Sequence, residues 1–262
     1  MTKPAPVWPS TSLNAPQATR GTKTRLLPWP RRGVRILQLL ATYGIVLCGF
    51  QEVGLRTAAA FANARAWLFL LATPNTRKGR SWQVGNGITA ALRALQRLHK
   101  RETRIGRPGK RGALHIPIHL YRDRDTSDRI IFLAGHADRK RPNPTANRVV
   151  LTKLARLGRW LHQATGCPVQ VVLDGNNDAG ADAIFAAAGG THLFGDHIDK
   201  GYGWGLTATN QRTLPRFKGV VTDHGDPPAA DVSPIAWARN FELAKLPRLP
   251  KTLRKYLRSR TA

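Results

Sequence analysis

The stretch that most limits what this chain can become is Pro168-Val169-Gln170-Val171-Val172-Leu173, followed directly by Asp174-Gly175-Asn176-Asn177-Asp178. The mostly apolar, β-branched run has the length and composition of a strand buried in a core, and the Asp-Gly-Asn run has those of a tight turn. A carboxylate and a carboxamide are thereby fixed where a core strand meets solvent. Asp, Gly and Asn also make plain turns, so this stretch alone does not separate a turn from a site. Its company does. Val46–Glu52, Ile130–His136 and Gly219–His224 are further apolar runs that end in acid, amide or imidazole groups. Four such endings can converge on one rim of a sheet.

The segments between these runs alternate helix and strand signals. Residues 1–12, rich in Pro, Ser and Thr, read as irregular, with Ser12-Leu13-Asn14-Ala15 as the end of a short first strand. Val34, Ile36, Leu37, Leu39 and Leu40 are spaced for a helix opened by Pro30 and stopped at Gly44, with Arg31, Arg32 and Arg35 outward. Ile45–Phe50 is a buried strand that delivers Gln51 and Glu52. Arg56–Ala66 suits a helix and Trp67–Ala72 a strand. Residues 73–83 form a polar loop in which Arg77, Lys78, Arg80 and Trp82 interleave charge and an aromatic ring, as a phosphate-and-base surface does. Residues 97–112 read as a basic linker, and Leu114–Tyr121 as a strand whose His115 and His119 are structural. Arg129–His136 is a strand, followed by a basic loop containing Arg139, Lys140 and Arg141. Thr145–Thr165 and Ala181–Ala188 are helices, and Asp199 follows Ile198 in another strand. Past Pro227 the chain reads as Pro-rich and then basic. One domain over residues 10–230, with a basic tail at 231–262, is the simplest organisation.

Charge narrows the partner. Forty-two Lys and Arg against 15 Asp and Glu give a formal charge of +27, which repels itself unless a polyanion is the usual partner. Nucleic acid, DNA before RNA, is the expectation. Two cysteines, Cys48 and Cys167, both in apolar context, make no disulfide framework and no thiolate metal site. The N-terminus lacks an apolar secretory core, and residues 36–50 fall short of a spanning length. A cytoplasmic monomer with no membrane partner is therefore expected, and nothing indicates a protein partner.

Glu52, Asp174, Asn176, His136, Asp199, Asp223 and His224 together offer oxygen ligands for a hard divalent cation and imidazoles for proton transfer. On so basic a chain that set points to phosphate-ester hydrolysis. The order Phe50-Gln51-Glu52-Val53, Gly135-His136, Leu173-Asp174-Gly175-Asn176, Ile198-Asp199 and Thr222-Asp223-His224 resembles the QE, TH, GDxN, Asp and SDH motifs of the endonuclease/exonuclease/phosphatase superfamily. The resemblance covers roughly residues 10–230. It implies an α/β, four-layer αββα sandwich, the deoxyribonuclease I-like fold, in which two packed mixed β-sheets are flanked by helices and the site lies where strand ends meet. It implies that Glu52, Asn14 and Asp223 bind Mg2+, or Mn2+ in its place. Asp174 and Asn176 would position water and a phosphate oxygen. His224, oriented by Asp199, would act as base or phosphate contact, and His136 would stabilise the transition state. Leu173, Gly135 and Thr222 stand where the family has Gly, Thr and Ser. The functional expectation is a Mg2+-dependent nuclease, an endonuclease first. Its alternatives are a phosphomonoesterase of the inositol-phosphate type and a nucleic-acid-binding protein with degenerate motifs.

Overall fold

The structure, a computed structural model, describes residues 4–15, 31–53, 61, 66–72, 85–108, 113–137, 144–176, 180–195, 198–217 and 225–259. The strands of the first sheet are β1 (Trp8–Asn14), β2 (Leu47–Val53), β3 (Trp67–Ala72), β4 (Gly85–Ala91), β11 (Leu206–Thr213) and β12 (Pro228–Pro234). Those of the second are β5 (Leu95–Gly106), β6 (Ala113–Asp123), β7 (Arg129–His136), β8 (Val169–Asp174), β9 (Thr191–Phe194) and β10 (Asp199–Trp204). Their orders are β11-β12-β1-β2-β4-β3 and β5-β6-β7-β8-β10-β9. Both sheets are mixed: β1 pairs with β2, and β7 with β8, in parallel, and the other pairings are antiparallel. The described helices are α1 (Arg31–Thr42), α2 (Pro144–Thr165), α3 (Ala181–Ala187) and α4 (Lys251–Arg258).

Strand alternation sorts the side chains into layers. Leu47, Ile88, Phe132, Ala134 and Val172 fill the space between the sheets. Cys48 and Phe50, one residue out of phase, point the other way and meet Ile36 and Leu40 of α1. Ile131, Leu133, Val171 and Leu173 turn outward under Val150, Leu154, Leu157 and Leu161 of α2, with α3 and α4 on the same side. Each fully buried Leu, Ile, Val or Phe contributes roughly 1.5–3 kcal/mol, so these three clusters fix the stacking of the layers. The result is a four-layer sandwich with α1 outside one sheet and α2, α3 and α4 outside the other. No helix among the described residues is long and apolar enough to cross a membrane.

Four local expectations need correction. The Ser/Thr-rich start is not irregular: β1 begins at Trp8 and lies at the centre of its sheet. It lacks an apolar run because its inner face is polar, with Ser10 and Ser12 fully buried. Residues 97–112 are not an unstructured linker, since Leu95–Gly106 is an edge strand whose exposed Lys100 and Arg104 suit an edge that must not pair further. Arg32 is buried rather than outward. The expected tail at 231–262 is, over its described residues 231–259, not free. The boundary at 230 falls inside β12, which pairs with β1 and β11, and Leu246 and Leu257 bury themselves against the second sheet. Spaced leucines in a Lys/Arg-rich segment supply enough apolar surface to dock it. The helix expected at Arg56–Ala66, of which only 61 and 66 are described, the loop at 73–83, and the basic loop at 138–144 except for Pro144, which opens α2, lie outside the described residues.

His119 gives the fold a pH dependence. It is fully buried, with Nδ1 hydrogen-bonded to Tyr121 Oη at 2.6 Å. Burial, with Arg97 and Lys100 adding to it, holds the imidazole down to about 3 from an ordinary 6.5. The unfolded chain therefore takes up this proton first as pH falls. The stabilisation is complete above the ordinary histidine range and is lost progressively from there toward pH 3, a matter of roughly a few kcal/mol. Urea midpoints of wild type and His119→Gln should converge as pH falls from 7 to 4. A constant gap would exclude this linkage.

Candidate active site at the sheet rim

The parallel pair β7 and β8 ends in register, with His136 opposite Asp174. Both continue the parity of Ala134 and Val172, so both side chains face the space between the sheets. Asp199 opens β10, which runs antiparallel to β8 and places it directly opposite Asp174. A strand start thus reaches the same rim as two strand ends. Two carboxylates in direct opposition repel, which favours a cation or cationic donor at this rim.

Asp174 is the hub. Its Oδ2 accepts from Asn14 Nδ2 at 3.1 Å across the sheets and lies 3.3 Å from His136 Nε2. Its Oδ1 accepts from the backbone N–H of Asn176 at 2.8 Å. Asn176, in the left-handed region at φ 51°, sends Nδ2 to the Ala137 carbonyl at 2.6 Å. The backbone N–H of Ala137 in turn donates to the Asp174 carbonyl at 2.8 Å. The two loops are tied to each other before any ligand arrives.

Glu52 comes to this hub by breaking a rule. Alternation would aim it outward with Phe50 and Cys48. However, β2 shifts register against β4 between Phe50 and Val53, and Glu52 adopts φ 56°. Such bulges re-aim side chains next to sites, and a left-handed non-glycine residue costs of order 1–3 kcal/mol unless its surroundings hold it. Glu52 Oε1 stands 4.0 Å from His136 Nε2, so one imidazole nitrogen is flanked by two carboxylates. The side chains of Glu52 and His136 are 23% and 18% exposed against 2% for Asp174. The first two are open to a ligand, and the third is nearly buried beside them.

The structure therefore brings Asn14, Glu52, His136, Asp174, Asn176 and Asp199 to one rim. Asp223 and His224 lie outside the described residues, as do Arg77, Lys78, Arg80, Arg139, Lys140 and Arg141. Sequence reading missed the polar row that carries Asn14 there. Along the inner face of β1, Trp8 Nε1 donates to Asp123 Oδ2 at 3.0 Å, and Ser10 Oγ accepts from Gln170 Nε2 at 2.7 Å. Ser12 Oγ donates to Gln51 Oε1 at 3.3 Å, and Asn14 meets Asp174. The signal was present as polar or amphipathic residues at every second position from 8 to 14.

The donors suit a hard cation. They are carboxylate and amide oxygens with one imidazole, and the two cysteines are elsewhere. Both thiols are buried, and burial pushes Cys48 and Cys167 up out of the reactive range. Among the described residues no group of three or more His, Cys, Asp and Glu is arranged to enclose a metal. Magnesium asks for less, since it keeps several waters and takes one or two carboxylates. Glu52 and the carbonyl oxygen of Asn14, whose amide nitrogen is turned to Asp174, fit that requirement.

No family model and no curated protein sequence matches the chain. Solved structures do. An endonuclease/exonuclease/phosphatase protein from Bacteroides vulgatus superposes with a TM-score of 0.70 at 12% identity, over 87% of this chain and 99% of that one. The mannosyl-6-phosphatase Bt3783 of Bacteroides thetaiotaomicron gives 0.65 at 12% identity, over 86% and 99%. D. rerio TDP2, complexed with a single-strand DNA product, gives 0.64 at 12% identity, over 86% and 98%. Identities this low carry the fold and leave the substrate open. Two packed mixed sheets, helices on both outer faces and near-complete coverage of each neighbour give the conclusion: the chain has the endonuclease/exonuclease/phosphatase fold, the deoxyribonuclease I-like four-layer sandwich.

Proposed function

We propose that the chain is a divalent-cation-dependent phosphodiesterase acting on nucleic acid, with DNA cut internally as its first substrate. The observation that supports this most is Asp174, a buried carboxylate gripped by Asn14 and Asn176 and set against His136 at an open rim, on a chain of formal charge +27. In hydrolysis a water oxygen bonds to phosphorus, the ester P–O bond breaks, one water proton passes to a base and the leaving oxygen gains a proton. Asp174 and Asn176 are assigned to orient the water and a non-bridging oxygen. His136 is assigned to donate to the phosphoryl group as charge builds on it. His224, oriented by Asp199, is assigned the base or a phosphate contact, and Asp223 joins Glu52 and Asn14 as a cation ligand. Magnesium, when bound there, supplies charge neutralisation at the phosphoryl oxygens. Arg77, Lys78, Arg80, Arg139, Lys140 and Arg141 are assigned to the substrate backbone.

The test is supercoiled plasmid with Mg2+ or with EDTA. Open circles should form only with Mg2+, and Glu52→Gln should need more Mg2+ for the same rate. Phosphate release from sugar or inositol monophosphates without cleavage of DNA or RNA would replace this reading with a phosphomonoesterase. DNA binding with neither activity would replace it with a binding protein.

A further inference from the structure

The outer helical face of the second sheet carries a positive charge that the rim does not use. Neither α2 nor residues 243–259 contains a single Asp or Glu. Arg148, Arg156 and Arg159 are exposed along α2, and Arg254, Lys255 and Arg258 are exposed along α4. The two helices are joined into one surface. The Arg156 guanidinium lies 4.7 Å from the centre of the Tyr256 ring, and Lys153, buried between them, donates to the carbonyls of Gly106 at 3.3 Å and Ser259 at 2.7 Å. Elsewhere four acids are held in ion pairs: Asp128 with Arg239, Asp231 with Arg212, Asp182 with Lys200 and Glu102 with His115. Among the described residues, no carboxylate pairs with any of the six exposed cations.

Geometry points this surface toward the rim. Residues 246–259 run alongside β5. At one end the Arg101 guanidinium donates to the Leu246 and Pro247 carbonyls, and at the other a Cβ on Gly106 would overlap the Arg258 and Ser259 carbonyls. Because β5 and β7 are each antiparallel to β6, they point the same way. The C-terminal end of α4 therefore lies at the rim end of the helix layer.

We propose that the α2–α4 face is a second, non-catalytic surface for the phosphate backbone of duplex nucleic acid, leading from the outside of the sandwich to the rim. Fixed cations on rigid helices, with no acid among them, release counterions from a polyanion whatever its sequence. An anionic membrane would want apolar side chains to insert. Here Leu253, Leu257 and Tyr256 pack inward, and no exposed large apolar side chain lies on either helix. The surface stands independently of whether the rim cleaves.

The test is binding of a fluorescent 30-base-pair DNA duplex by the full chain in EDTA, so that hydrolysis plays no part, across a range of salt. Replacing Arg148, Arg159, Arg254 and Arg258 together by Gln should weaken binding about 10- to 100-fold near 0.1 M salt and make the slope of log affinity against log salt shallower by about three. The same four positions changed to Lys should restore both. An unchanged slope in the Gln variant overturns the proposal, as does failure of the Lys variant to rescue. Wild-type binding to phosphatidylserine vesicles that exceeds binding to DNA overturns it in favour of a membrane surface. Circular dichroism of each variant excludes loss of fold as the cause.

Discussion

Asp174→Asn should lower plasmid cleavage by about a thousand-fold or more while the protein still folds. The substitution keeps the size of the side chain and one carbonyl oxygen, which can still accept from the Asn176 N–H. It places an amide nitrogen where Oδ2 now receives Asn14 and faces His136. Two N–H groups then meet where a donor met an acceptor, and the charge beside the imidazole is gone. A buried mismatch of this kind costs roughly 1–3 kcal/mol of stability, so the loss of rate must be read at a temperature where circular dichroism shows the variant native. A variant that kept a tenth or more of the wild-type rate would remove Asp174 from the machinery.

Gly49→Ala should destabilise the fold by about 1–3 kcal/mol or more and disturb the rim as well. Gly49 of one sheet lies directly against Val172 and Ala134 of the other. A Cβ there would overlap Val172 Cγ2 and stand 3.2 Å from Ala134 Cβ. Both neighbours lie one alternation step before the residues that matter, Val172 before Asp174 and Ala134 before His136. Pushing the sheets apart at this point moves the hub away from Asn14. The double variant Gly49→Ala, Val172→Ala should recover part of the stability, because the second change makes room for the first. Urea denaturation of the four-member cycle reads this directly. Additive losses would mean that the two sites do not touch.

The strands that end at the rim were legible because each is an apolar run with a polar end, and burial between layers imposes that pattern. Ile45–Glu52, Arg129–His136 and Val169–Asp174 are the cases. β1 was not legible as a full strand, because its inner face is stitched by Trp8, Ser10, Ser12 and Asn14 rather than packed with aliphatics, and the cross-sheet partners Asp123, Gln170 and Asp174 are remote in sequence. β5 was hidden by its charges, which an edge strand tolerates and a central one does not. The docked C-terminal segment was hidden for the same reason. Lys and Arg dominated its composition, whereas Leu246 and Leu257 decided its position. The aim of Glu52 could not be read from alternation, which gives the opposite face. Only the bulge and the left-handed backbone turn it to His136.

The proposed hydrolysis requires one divalent cation at the rim. Anomalous diffraction from crystals of the wild-type protein grown with Mn2+ tests it most directly. The expected result is a peak in contact with the Glu52 carboxylate on the Asp174 side of the rim, absent in crystals of Glu52→Gln. A rim without a peak at saturating Mn2+, in a protein whose cleavage of DNA EDTA does not slow, would contradict it.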